Sequence, residues 1–212
     1  MIGGLGRREE TPLRRRFPPV APLFRNTTTR YGWIAILLHW LIAVLFISQF
    51  ALGFAMVRIS SQRTAFELIQ WHKSFGFLML GLVLVRIGWR LGNVRPALPE
   101  TVAPFERRAA PLVHALLYAI QLVVPLSGWA LVSVSMLEVP SVPFNLFVMP
   151  NLPLSVSDDA ETFWSAAHEW LAWTGMALAA LHILAALRHR FLLRDSVFQR
   201  MIAPSSGDEP RE

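Results

Sequence analysis

Residues 164–190 read WSAAHEWLAWTGMALAALHILAALRHR, an apolar run rich in Ala and Leu, long enough to cross a bilayer as one helix. Histidines stand at 168, 182 and 189 within it. His168 and His182 are fourteen residues apart, about 21 Å of helical rise and nearly four whole turns, so their imidazoles share one face. A hydrocarbon core of about 30 Å puts one near each membrane surface. Between them the same face carries Ala172, Gly175 and Ala179, with Leu178 as a bordering wall. Two imidazoles with a low trough between them suit two flat cofactors stacked across a bilayer. The rival reading is a buried helix with two satisfied histidines. An intramembrane pair at this spacing argues against it, because ionisable residues there are costly and usually functional.

The rest of the composition agrees with a membrane domain. The chain has 212 residues, 54% of them hydrophobic, with eight Trp and fourteen Phe. It contains no Cys, which excludes disulfides, Cys-held iron–sulfur clusters, covalent c-type haem and thiolate zinc sites. The net charge is +6, and every basic residue except Lys73 is Arg. Beside spanning helices such charge reads as membrane topology rather than as a nucleic-acid surface. No HExxH, phosphate loop or G-x-S-x-G motif is present.

Four spans are expected. Residues 1–30, with seven Arg and a Pro-rich run from Phe17 to Pro22, read as a basic disordered tail. The first helix covers Gly32–Val57, with His39 about two turns in and Gly53 fourteen residues further on, offering open space on the same face. Plain helix packing is the ordinary role of such a glycine. The second covers Ala65–Leu91 and carries His72, then Gly76 one turn on. Arg86 is fourteen residues beyond His72, and Arg90 a turn further. An inward Arg at cofactor depth needs an anionic partner, and a haem propionate matches its fork. Snorkelling to headgroups is the alternative for both arginines. The third helix covers Ala110–Ser133, with His114 near its start and a kink expected at Pro125. Residues 134–162 form a long loop without a basic residue, read as a cap on the helix ends or as a floppy interfacial loop. The fold class is therefore all-α: an integral membrane antiparallel four-helix bundle over residues 31–201, followed by a polar tail over 202–212.

Arg is concentrated in both tails and in residues 92–108, so the positive-inside rule puts both termini in the cytoplasm. This orientation sorts the histidines by depth. Only His72 and His168 fall on the outer side, so an outer haem with two His ligands must use them. On the inner side His39, His114, His182 and His189 remain. His182 is favoured by its register with His168, and His39 by its matching depth. A metal ion alone would want three or four ligands close together. Two histidines per depth on opposing helices, beside small residues and inward Arg, fit a planar cofactor with two axial ligands. Iron with both axial positions filled is suited to outer-sphere electron transfer. Retinal needs a buried Lys, and Lys73 lies at a helix end.

At this point the sequence resembles the bacterial cytochrome b561 family of four-helix, di-haem membrane proteins. The resemblance rests on Leu38-His39-Trp40-Leu41, Trp71-His72-Lys73-Ser74-Phe75-Gly76, Val85-Arg86 with Arg90, His114-Ala115-Leu116-Leu117-Tyr118, Pro125-Leu126-Ser127-Gly128-Trp129, Ala167-His168-Glu169, and His182 followed by His189. It spans about Arg30–Met201. It implies two b haems, the inner on His39 and His182 and the outer on His72 and His168. It also implies a place in the bacterial inner membrane. One type within the family is a superoxide oxidase, which passes electrons from periplasmic superoxide to ubiquinone. That implies a quinone site on the cytoplasmic side, with His189 its best match; phospholipid headgroups are that residue's other natural partner. Lys73, Arg58 and Arg63 could supply a positive approach for an anionic donor. Other relatives carry electrons for a soluble partner, so a carrier subunit serving a periplasmic redox protein stands as the alternative. No residue is assigned a catalytic step of its own.

Overall fold

The computed structural model describes residues 24–99 and 101–204. The expected basic tail therefore lies outside the described residues up to position 23, as does the polar tail from 205. Four long helices carry the fold: α1 (Trp33–Met56), α2 (Gln62–Leu91), α3 (Pro104–Val134) and α4 (Asp158–Arg188). All four are long and apolar enough to span a membrane. Their intrahelical hydrogen bonds satisfy the backbone, which a bilayer cannot do. Large apolar side chains such as Leu37, Val44, Leu84, Leu112, Leu181 and Leu184 face outward, as a lipid-facing surface requires.

Cross-helix contacts fix the packing. Gln49 of α1 donates to the His72 carbonyl of α2. Arg86 of α2 meets Tyr118 of α3, and Phe77 meets Trp129. Ser127 of α3 meets His168 of α4, and His114 meets His182. Phe50 of α1 packs on Trp173 of α4, and His39 on His182. In each pair of neighbours, rising numbers on one helix meet falling numbers on the next, so the bundle is antiparallel. Its middle is a small buried cluster of Ile42, Met79 and Val83, with Phe46 and Leu122 against it. Within lipid, close packing rather than removal of apolar surface from water holds such a cluster together.

Three helices begin earlier than the hydrophobic pattern indicates. α2 starts at Gln62, where Ser61 caps it by accepting from the Thr64 amide. α3 starts at Pro104, not Ala110. Proline in the first turn loses only an amide that has no helical partner, so the Pro-rich segment launches the helix instead of delaying it. α3 then runs on through Pro111 and Pro125. α4 starts at Asp158, not Trp164, capped by Ser157 through the Ala160 amide. Asp158, Asp159 and Glu161 are first-turn carboxylates that complement the helix dipole, not loop residues.

The two ends of the bundle are closed differently. At the end reached by residues 134–157, the connection is a cap tied to three helices. The Phe144 amide donates to Ser74 of α2, the Leu152 amide to Ser133 of α3, and the Met136 amide to Glu161 of α4. Phe144 takes a left-handed backbone (φ 51°), a costly conformation for a bulky residue. Its ring packs edge-on against Phe75, which helps hold it there. The Arg-rich end is closed by residues 24–32, 92–99, 101–103 and 194–204. Ala97 donates to Thr28, Arg200 to Ala97, and the Trp40 indole to Met201.

Candidate functional site

Five of the six histidines meet inside the bundle at two levels. At the cap end the His72 and His168 rings lie 6.1 Å apart, centre to centre, with planes at 87°. At the Arg-rich end His39 and His182 lie 6.2 Å apart with planes at 81°. His114 joins this second level, its ring 5.7 Å from that of His182.

Each ring is seated by its neighbours. His168 Nδ1 is 3.0 Å from the Val124 carbonyl and 3.0 Å from Ser127 Oγ. Ser127 Oγ itself donates to Val124. With Nδ1 held this way, Nε2 is the nitrogen left to meet a ligand. A Cβ added at Gly128 would stand 3.0 Å from the same ring, so only the bare backbone of α3 admits it. His72 is seated likewise on Gly53, where a Cβ would stand 3.2 Å away. Gly53 is thus not the open space its register indicated; an imidazole fills that space. His72 Nδ1 is buried without a hydrogen-bond partner. A small cavity of about 60 Å³ is lined by both histidines and, among others, by Gly76, Gln49, Gln121 and Ala172.

The trough expected along Gly175 is also filled. A Cβ there would lie 2.9 Å from Phe46 and 3.2 Å from Ile120. Gly175 therefore admits an aromatic side chain between the two histidine levels rather than a cofactor face. Arg86 and Arg90 both turn toward the second level, where they share Tyr118. Arg86 Nε donates to its hydroxyl at 3.0 Å, and Arg90 lies 5.1 Å from its ring centre. Lys73 turns toward the cap, its ammonium 3.4 Å from the Val139 carbonyl and 3.3 Å from that of Pro140.

His189 stands apart from both levels. A π-helical turn over His189–Leu193 follows α4 and ends at Arg194 in a left-handed conformation. His189 is buried, at 9% exposure, while Arg188 and Arg190 on either side are exposed. Its Nδ1 is 2.6 Å from Asp195 Oδ2, and its Nε2 is 3.9 Å from Glu106 Oε2. Glu106 in turn pairs with Arg188. A headgroup-facing role for His189 does not fit this burial. Ser127, Gln49, Phe46, Glu106 and Asp195 are the site residues that pattern reading does not single out.

Four helices able to span a membrane, with paired imidazoles at two depths, define an all-helical membrane protein with a candidate redox-cofactor site. The sequence matches the family described as prokaryotic cytochrome b561 over residues 30–204. It is 31% identical to "Cytochrome b561 homolog 2" of Escherichia coli (strain K12) over 188 residues, 87% of this chain and 97% of the relative. It is 28% identical to "Probable superoxide oxidase CybB" of Yersinia pestis over 182 residues, 84% of this chain and 98% of that protein. "Cytochrome b561 homolog 1" of Escherichia coli is 27% identical over 180 residues, 82% of this chain and 97% of the relative. The chain belongs to the prokaryotic cytochrome b561 family. It is a bacterial membrane protein that transfers electrons across the membrane as a b-type cytochrome, with iron-containing haem as cofactor.

The residues present fit that group. Two metal–imidazole bonds of about 2 Å, plus roughly 1.2 Å from each nitrogen to its ring centre, sum to about 6 Å. The ring separations of 6.1 and 6.2 Å match this span. Among the described residues no cluster of three or more His, Cys, Asp or Glu side chains is arranged to hold a bare metal ion.

Proposed function

We propose that the chain holds two b haems, one between His72 and His168 and one between His39 and His182. The observation that carries this reading is the repetition of one ring geometry at both levels. His114 lies closer to His182 but at a tilt of 69°, and it serves better as a wall of the Arg-end pocket than as an axial ligand. Arg86 and Arg90, turned toward the Arg-end level, supply positive charge for haem carboxylates. When bound, the haems would supply one-electron carriers, held by these four histidines. The protein holds them in line across the membrane, with Phe46 between the levels.

The Arg-rich end faces the cytoplasm by the positive-inside rule, and the cap faces the periplasm of an inner-membrane protein. Electrons run from a periplasmic donor to ubiquinone. Superoxide is the donor named first, supported by the superoxide oxidase name of a relative. Two superoxide ions, one ubiquinone and two protons then give two O2 and one ubiquinol. His189, buried at the cytoplasmic end with Nε2 beyond hydrogen-bond reach of Glu106, acts as proton donor to the quinone.

A second reading is favoured by the cap itself. Lys73 is engaged with cap carbonyls, and Leu137, Leu146, Phe147 and Val148 are exposed apolar residues of the cap. Such a surface suits a docked redox protein, which would make this chain a carrier subunit. The test is reduction of the purified protein by enzymatically generated superoxide, followed by quinol formation. Haem reduction with stoichiometric quinol supports the first reading. Haems that ignore superoxide but accept electrons from a periplasmic cytochrome support the second.

A further inference from the structure

We infer that Asp195 and His189 form the proton relay through which cytoplasmic water protonates the quinone. This rests on the quinone reading above. The polar chain is continuous and mostly withdrawn from solvent. Asp195 has a side chain only 7% exposed, with Oδ2 2.6 Å from His189 Nδ1. Its Oδ1 accepts from the Val197 amide at 3.0 Å, so the carboxylate is fixed rather than swinging. On one side Asp195 borders an open cleft of about 520 Å³, whose lining includes Thr28, Thr29, Thr101, Ser196 and Arg200. On the other side lies the imidazole. The charged groups around that ring are Glu106 from α3, which Nε2 faces at 3.9 Å, and Arg188 of α4, which pairs with Glu106. Beyond Asp195 the cleft brings Arg200, whose guanidinium donates to Ala97.

Water therefore reaches the carboxylate, and the carboxylate reaches the ring. Asp195 takes a proton from cleft water and passes it to Nδ1 as Nε2 releases one to a quinone oxygen. Reorientation of the ring between passages presents its new N–H to the quinone and a bare nitrogen to Asp195, so two passages supply the two protons of each quinol; the two electrons come from two one-electron oxidations of the periplasmic donor. Asp195 contacts neither histidine level, so its removal leaves the haem sites untouched.

The experiment uses the full-length, haem-loaded protein in lipid nanodiscs. The haems are reduced and mixed with decylubiquinone in H2O and in D2O across neutral pH. Wild type is expected to be oxidised with a clear deuterium slowing. Asp195→Asn should slow this phase by about 10- to 100-fold, with haem content and midpoint potentials unchanged. Asp195→Glu should recover most of the rate with a displaced pH profile. An Asp195→Asn rate within about twofold of wild type, with the same isotope effect, overturns the relay and leaves the quinone reading standing. If Asp195→Asn assembles poorly, Asp195→Glu carries the test, and an unmoved pH profile overturns the relay. Wild-type haems that ignore decylubiquinone but are oxidised by ferricyanide overturn the quinone reading, and the relay with it.

Discussion

His39 and His182 face each other across α1 and α4 at 6.2 Å with planes at 81°, and the cap-end pair repeats this at 6.1 Å and 87°. α4 carries one member of each pair, fourteen residues apart, while the partners come from α1 and α2. The shared geometry gives both levels the same frame: two near-perpendicular imidazoles about 6 Å apart.

Near-perpendicular imidazole planes have a spectroscopic consequence. They leave two iron d orbitals close in energy, so oxidised low-spin haem at both levels should give strongly anisotropic EPR signals. Low-temperature EPR of the purified oxidised protein checks this. Ordinary rhombic spectra would mean parallel rings, contrary to the planes observed here.

Gly128 offers a steric test. A Cβ there already stands 3.0 Å from His168, so the branched side chain of Gly128→Val should displace the ring and lose the cap-end haem. Gly81→Val serves as control, because a Cβ at Gly81 meets nothing within 4 Å. Haem per chain should fall by half in the first variant and stay unchanged in the second.

Arg86 should set the potential of one haem. Its positive charge near the His39 level favours the reduced, less positive iron. Arg86→Leu should lower the Arg-end midpoint by some tens of millivolts, from a unit charge at roughly 10 Å in an effective dielectric near 20. The cap-end haem, about four helical turns away, should hardly move. Redox titration of the two haems distinguishes these outcomes, and equal shifts in both would count against the placement of Arg86.

Much of this arrangement is legible in the sequence because spanning helices obey few rules. Apolar length gives the spans, and the interval from His168 to His182 gives the two levels. With alternating span directions, the helix starts that carry His72 and His168 fall at one end, where the two rings meet. Other features escape for physical reasons. The starts of α3 and α4 lie in polar turns beyond the apolar run, where capping by Ser157 and proline at the first turn decide the boundary. Gly53 and Gly175 are correctly singled out as small, but what fills the space beside them, His72 and Phe46, depends on neighbouring helices. Ser127 shares a motif with Pro125 and Gly128, yet its contact with His168 needs the register of α3 against α4. Asp195 meets His189 only through the π turn and the left-handed Arg194, which no periodicity announces.

The central claim is that two haems sit on two histidine pairs, and haem stoichiometry tests it most directly. Dithionite-reduced minus oxidised spectra, with haem quantified per chain, are compared for wild type, His72→Ala, His168→Ala, His39→Ala and His182→Ala. Two b haems per wild-type chain are expected, with the cap-end variants losing one haem and the Arg-end variants losing the other. A single haem in the wild type, or a histidine variant that folds and keeps both, would contradict it.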